Sequence, residues 1–150
     1  MLINNSNSNI INSNSFSLHD AILQNLNFNY FEKNLTIQLC VDGIPNSYLE
    51  LNFSETIGFN ITSCDFWGKS PHVLDFEYIE KNECELLSSL RETKTEFPYN
   101  PLCKLNEDEV FWECLFTFSS GDTLRVVCET LTILEQQPGN NQHDNQGTAD

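Results

Sequence analysis

A chain of 150 residues has the length of one domain, and this one sets 22 Asp and Glu against 7 Lys and Arg, a formal charge of −15 at pH 7. Such a surface repels the phosphates of nucleic acid and of anionic lipid, so direct DNA or RNA binding and a membrane partner are not expected. A basic protein would instead be steered towards it.

The two ends differ from the middle. Residues 1–17 hold six Asn and five Ser and no charged side chain. Residues 136–150 are rich in Gln, Asn and Gly and contain no large apolar residue. Neither composition offers enough apolar surface to offset the entropy of ordering it. The expected organisation is a disordered Asn/Ser-rich segment over 1–16, one globular domain over 17–135 and a disordered tail over 136–150. Only Asp144 and Asp150 lie in that tail, so the rest carries 7 − 20 = −13.

The start lacks a basic segment followed by an unbroken apolar run, and no stretch of about 18 apolar residues occurs. A cytoplasmic location is therefore expected. The six cysteines are Cys40, Cys64, Cys84, Cys103, Cys114 and Cys128. Several sit in apolar runs such as Leu39-Cys40-Val41, which reads as buried, reduced thiols acting as small hydrophobes. No Cys-x-x-Cys occurs, so no metal and no cofactor is expected.

Along the chain, Leu26, Phe28 and Tyr30 alternate with Asn25, Asn27 and Asn29, the period of a half-buried strand. After a polar turn at Glu32-Lys33-Asn34, Leu35, Ile37, Leu39 and Val41 alternate in the same way, which predicts a hairpin. Leu49, Leu51 and Phe53 give a third strand, Ile57, Phe59 and Ile61 a fourth, and Leu74, Phe76 and Tyr78 a fifth. The period then changes: Cys84, Leu87 and Leu90 follow an N-cap candidate at Asn82, which predicts one short helix near 83–91. Val110–Phe118 reads as a central strand with Trp112, Cys114, Phe116 and Phe118 on one face. After a turn at Ser119–Asp122, Thr123–Leu134 reads as one long strand. The fold class is mainly β (α+β): about seven strands and one helix, as an antiparallel sheet or a two-layer β-sandwich.

Mid-chain, Phe66-Trp67-Gly68-Lys69-Ser70-Pro71-His72 follows no period and reads as a loop. Phe66 and Trp67 would lock it onto the core, Gly68 and Pro71 would set its turn, and His72 would hydrogen-bond locally. A serine nucleophile at Ser70 is unsupported. The Gly-x-Ser-x-Gly elbow is missing, and Pro71 removes the N–H such an oxyanion hole uses. His19-Asp20 is a candidate metal or acid–base pair, but with His72 it provides too few ligands for a two-metal site. Its bland reading is hydrogen bonding at the entry to the first strand. No catalytic residue is assigned.

Between Asp75 and Glu113 lie eleven acids and four bases, interleaved with Phe76, Tyr78, Phe97, Tyr99, Phe111 and Trp112. Carboxylates for steering beside aromatics for contact area suit a basic protein partner. The candidate partner-binding residues are Asp75, Glu77, Glu80, Tyr99, Glu107, Asp108 and Glu109.

Leu18-His19-Asp20-Ala21-Ile22, the Phe66–His72 loop, Trp112-Glu113-Cys114 and Ser119-Ser120-Gly121-Asp122-Thr123-Leu124 together resemble the small YxiG-like proteins of bacteria. More loosely they resemble immunity-protein families that begin with a similar His-Asp-Ala element. The resemblance covers about residues 17–134. It implies a non-catalytic antidote to a polymorphic toxin, and it transfers no site residues. The expected function is thus an immunity protein that binds and neutralises a cognate basic toxin, for example a nuclease. The alternatives are a small enzyme using His19, Asp20 and His72, and a structural or adaptor module of a bacterial or phage assembly.

Overall fold

The computed structural model describes residues 1–13, 17–41, 48–62, 71–95 and 110–136. Nine strands among them form two antiparallel sheets. They are β1 (Leu2–Asn4), β2 (Ile22–Asn29), β3 (Asn34–Cys40), β4 (Tyr48–Ser54), β5 (Gly58–Ile61), β6 (Val73–Ile79), β7 (Trp112–Phe118), β8 (Thr123–Cys128) and β9 (Thr130–Gln136). The first sheet has the order β1-β9-β4-β3-β2 and the second β5-β8-β7-β6. The mainly β, antiparallel class expected from the alternating pattern is observed, as the two-layer alternative and with two more strands than expected.

Period-two hydrophobicity explains the layers. Leu35, Ile37 and Leu39 of β3 and Leu51 and Phe53 of β4 point into the core, as do Cys114, Phe116 and Phe118 of β7. Phe116 sits at the centre, stacked on Phe76 with centroids 4.2 Å apart and edge-on to Phe53 across the layers at 6.3 Å. Ile22, at the start of β2, bridges to His72 beside β6, whereas Phe28 near its end packs 5.1 Å from Phe59 of β5. Because β5 and β6 are opposite edges of the second sheet, β2 crosses over its strands, as in orthogonal sandwiches whose strands switch sheets at corners.

One such corner corrects the sequence reading. Thr123–Leu134 is not one strand: Glu129 separates β8, which pairs with β5 and β7, from β9, which pairs with β4 and β1. The alternation carries the signal. Leu124, Val126 and Cys128 are buried at even positions, and Leu131 and Ile133 at odd ones. A phase slip of one residue moves the inward face to the other layer.

The beginning of the chain is a second correction. Within the segment expected to be disordered, β1 adds to β9 with Ile3 opposite Leu131, and a 3-10 turn follows over Ser8–Asn12. Ile3 and Ile11 are buried in the main core. The side-chain amide of Asn12 donates to the Tyr78 carbonyl at 3.1 Å and accepts from the Tyr78 N–H at 2.7 Å, standing in for a neighbour on the open edge of β6. Two buried isoleucines and one edge-capping amide are enough to order a segment whose average composition is polar. The expected tail over residues 137–150 lies outside the described residues.

The helix α1 spans Glu85–Thr95 after a 3-10 turn at Lys81–Glu83, so it starts and ends later than the expected 83–91. It covers the outer face of the second sheet. Cys84 and Leu87 join Ile79, Phe111 and Val127 in a second, smaller apolar cluster, with Leu90 packed against it. Leu90 lies so close to β5 that a Cβ on Gly58 would come within 2.6 Å of its Cδ1.

Cys84, Cys114 and Cys128 are buried free thiols, and Cys40 is half-buried and free. Burial pushes the Cys84 thiol from 9.0 up to about 11, helped by the nearby negative Glu113, and burial raises Cys114 and Cys128 strongly. For Cys84 that rise alone lowers the thiolate fraction at neutral pH about 100-fold. Iodoacetamide at pH 7.5, read by peptide mass spectrometry, is expected to label Cys40 first of these four and to leave the other three intact until the protein unfolds. Equal labelling of Cys114 would contradict the packing. Above pH 9 the unfolded thiols ionise while the folded ones keep their protons. The unfolded chain then binds fewer protons, so stability falls as pH rises from 9 towards 11.

Candidate functional site

Leu18–Ala21 is a tight turn that docks the start of β2 on the start of β6. Leu18 and Ala21 are buried anchors, and the Ala21 N–H closes the turn on the Leu18 carbonyl at 3.0 Å. Asp20 takes a positive φ of 66°, which Asp tolerates better than most residues, and its N–H donates to the Val73 carbonyl at 2.9 Å. The Val73 N–H donates back to Ala21, Leu23 donates to Pro71, and Ser119 donates to the His72 carbonyl. Pro71 and His72 thus serve through their backbones as the corner joining β2, β6 and the β7–β8 turn. Phe66, Trp67 and Gly68 lie outside the described residues.

On that turn His19 Nδ1 lies 3.0 Å from Asp20 Oδ2, with the two side chains 60% and 65% exposed. A carboxylate orienting an imidazole is one component of acid–base chemistry. The Ser17 hydroxyl accepts the His19 N–H at 3.2 Å, and no group of three or more His, Cys, Asp or Glu side chains among the described residues could hold a metal ion.

His19 borders an open cleft of about 560 Å³ between the Ser8–Asn12 turn and β6. Asn12, Leu18, Asp75, Phe76 and Glu77 line it as well. On the other side of Glu77 a second cleft, of about 590 Å³, runs to Cys84, Glu85 and Ser88 at the start of α1. Glu77 is therefore a ridge between two hollows. Asp75, Glu80 and Glu83 are exposed along the same edge, with Glu77 half-buried between them. Here β6 and the turn after it form an acidic flank. Tyr99, Glu107, Asp108 and Glu109, named with these residues from the sequence, lie outside the described residues.

Lys81 is exposed in the turn between Glu80 and Glu83, and Arg125, which lines the second cleft, is already committed. Its Nη1 donates to Glu113 Oε1 at 2.6 Å, and its Nη2 lies 3.2 Å from Glu85 Oε2. Glu113 has no solvent exposure, and its Oε2 accepts the Leu87 N–H at 3.0 Å. The carboxylate thereby satisfies a free donor in the first turn of α1, where the helix dipole favours a negative charge. With both oxygens engaged by a guanidinium and a backbone N–H, Glu113 clamps the helix to the sheet. The sequence reading gave it no role, although an acid on a strand between Trp112 and Cys114 is a visible anomaly.

Among the described residues the aromatics interleaved with the acids do not face outward; Phe97 and Tyr99 lie outside the described residues. Phe76, Phe111 and Trp112 are buried and Tyr78 is half-buried. Tyr78 lies 6.4 Å from the Trp112 ring, whose Nε1–H donates to the Glu129 carbonyl at 2.9 Å. The exposed aromatics are elsewhere. Tyr30, expected on the inward face of the first strand, lies in the β2–β3 turn and is 81% exposed, and Phe31 beside it is 96% exposed.

Comparison with protein-family models finds no match, and none of the curated proteins matches the chain. Among the described residues no helix is long and apolar enough to cross a membrane.

Proposed function

We propose that this chain is a non-catalytic immunity-type protein that neutralises a basic toxin by binding it through the β6 flank. The observation that carries this reading is the row Asp75, Glu77 and Glu80, set beside two open hollows where the nearest guanidinium is bound to Glu113 and Glu85. Carboxylates so placed raise the rate of encounter with a basic surface and offer acceptors to its Lys and Arg side chains. The open cleft beside His19, about 560 Å³ in volume, has room for one such side chain. The resemblance to YxiG-like and other immunity families points the same way, and with it a toxin such as a nuclease and the cytoplasm as the place of action.

Co-expression tests the reading. The chain should protect cells from the protein encoded beside it, and Asp75→Lys/Glu77→Lys should weaken protection while leaving the melting temperature within about 2 °C. In stopped-flow mixing at low salt the double variant should associate at least tenfold more slowly, with the gap closing at about 0.5 M salt as screening sets in. Full protection by the double variant would remove the β6 flank from the interface.

A further inference from the structure

The β2–β3 turn is built as a rigid aromatic projection. Asn29 Oδ1 accepts the N–H groups of both Phe31 and Glu32, at 3.1 and 3.2 Å, which fixes the turn from its own first residue. Lys33 takes a positive φ of 49°, and its carbonyl accepts the Thr56 N–H at 2.7 Å. Its ammonium lies 3.6 Å from Glu55 Oε2. A series of ring contacts runs outward from the core: Phe59 to Phe28, tilted, at 5.1 Å, then edge-to-face from Phe28 to Tyr30 at 6.3 Å and from Tyr30 to Phe31 at 6.4 Å. The outer two rings leave most of their area in water, a cost that folding itself does not require.

We infer that Tyr30 and Phe31 are a preformed anchor that inserts into an apolar pocket of a protein partner whose rim is basic. Aromatics held rigid before contact lose little entropy on binding, which is why such residues dominate interface energetics. The rim follows from charge. Glu32 and Glu55 lie beside the rings, with Lys33 paired to Glu55 among the described residues, on a chain of −15. The same charge disfavours insertion into anionic lipid and pairing with a second copy of this chain. The inference rests on the partner-binding reading above but places a contact apart from the β6 flank.

Tyr30→Ser/Phe31→Ser tests it, because neither ring is needed for the core and the fold should survive with an unchanged melting temperature. Titrated against the purified protein encoded beside this chain, the double variant should bind at least 100-fold more weakly than the wild type. Binding within threefold of wild type would overturn the inference. So would ring-dependent binding to phosphatidylcholine or phosphatidylglycerol vesicles, or ring-dependent self-association in sedimentation. If the wild type itself does not bind that protein, the toxin reading fails, and the anchor is judged by photo-crosslinking in producing cells from benzoylphenylalanine at position 31. A crosslinked protein supports the anchor only if, once purified, it is basic and binds the wild type at least tenfold better than the double variant. Absence of such a protein, with crosslinks to lipid or to the chain itself, overturns it.

Discussion

Glu113→Ala should destabilise the protein by about 3–5 kcal/mol, the usual cost of leaving one half of a buried ion pair without its partner. The loss has two parts. Arg125, with a side chain only 22% exposed, keeps a charge whose remaining acid, Glu85, is largely in solvent. The Leu87 N–H at the start of α1 loses its acceptor. Urea unfolding measures the sum, and hydrogen exchange should show protection falling first in α1. Glu113→Gln keeps an acceptor for Leu87 and should cost less. Replacing both members, as Glu113→Leu/Arg125→Met, should recover much of the loss, because apolar side chains of similar size fit the cluster of Ile79, Leu87 and Val127 without a desolvation cost. If Glu113→Ala cost under about 1 kcal/mol, the clamp would not hold the helix.

Ile3→Ala should cost about 2–5 kcal/mol, the range for truncating a fully buried isoleucine. Removal of residues 1–12 should do more. It takes away Ile3 and Ile11 together, uncovers the β9 edge and strips the Asn12 amide from β6. Open strand edges pair with other chains, so the truncated protein should aggregate on warming at temperatures the full chain tolerates. A truncated protein with the stability and solubility of the full chain would show that β1 contributes nothing to the fold.

The elements legible in the sequence were those in which one face decides the pattern. Leu35-x-Ile37-x-Leu39 and Trp112-x-Cys114-x-Phe116-x-Phe118 have a period that only a half-buried strand satisfies. Composition misled at the start of the chain because averaging over Asn and Ser hides isolated isoleucines, each able to fill a core site. Tyr30 misled for the opposite reason. It continues the alternation of Leu26 and Phe28, but Asn29 starts the turn one residue earlier through its side-chain acceptor. Thr123–Leu134 was read as continuous because β-branched and other apolar residues dominate it; the phase slip at Glu129 marks the corner.

Of the candidate site, the outward placement of Asp75 and Glu77 was legible because they flank the buried Phe76 on β6, with Glu80 just past the strand's end. The hollows on either side of Glu77 were not, since they depend on the Ser8–Asn12 turn and on α1, which approach β6 from distant parts of the chain. Glu113 and Arg125 were invisible as a pair. They sit two positions out of register across β7 and β8, and only the helix above explains why a carboxylate is buried there.

The most direct measurement is calorimetric titration of the full chain into the purified protein encoded beside it, at about 0.15 M salt. The account predicts a 1:1 complex whose affinity falls with rising salt and with either the Asp75→Lys/Glu77→Lys or the Tyr30→Ser/Phe31→Ser pair. No heat and no co-migration on size exclusion at micromolar concentrations would contradict it.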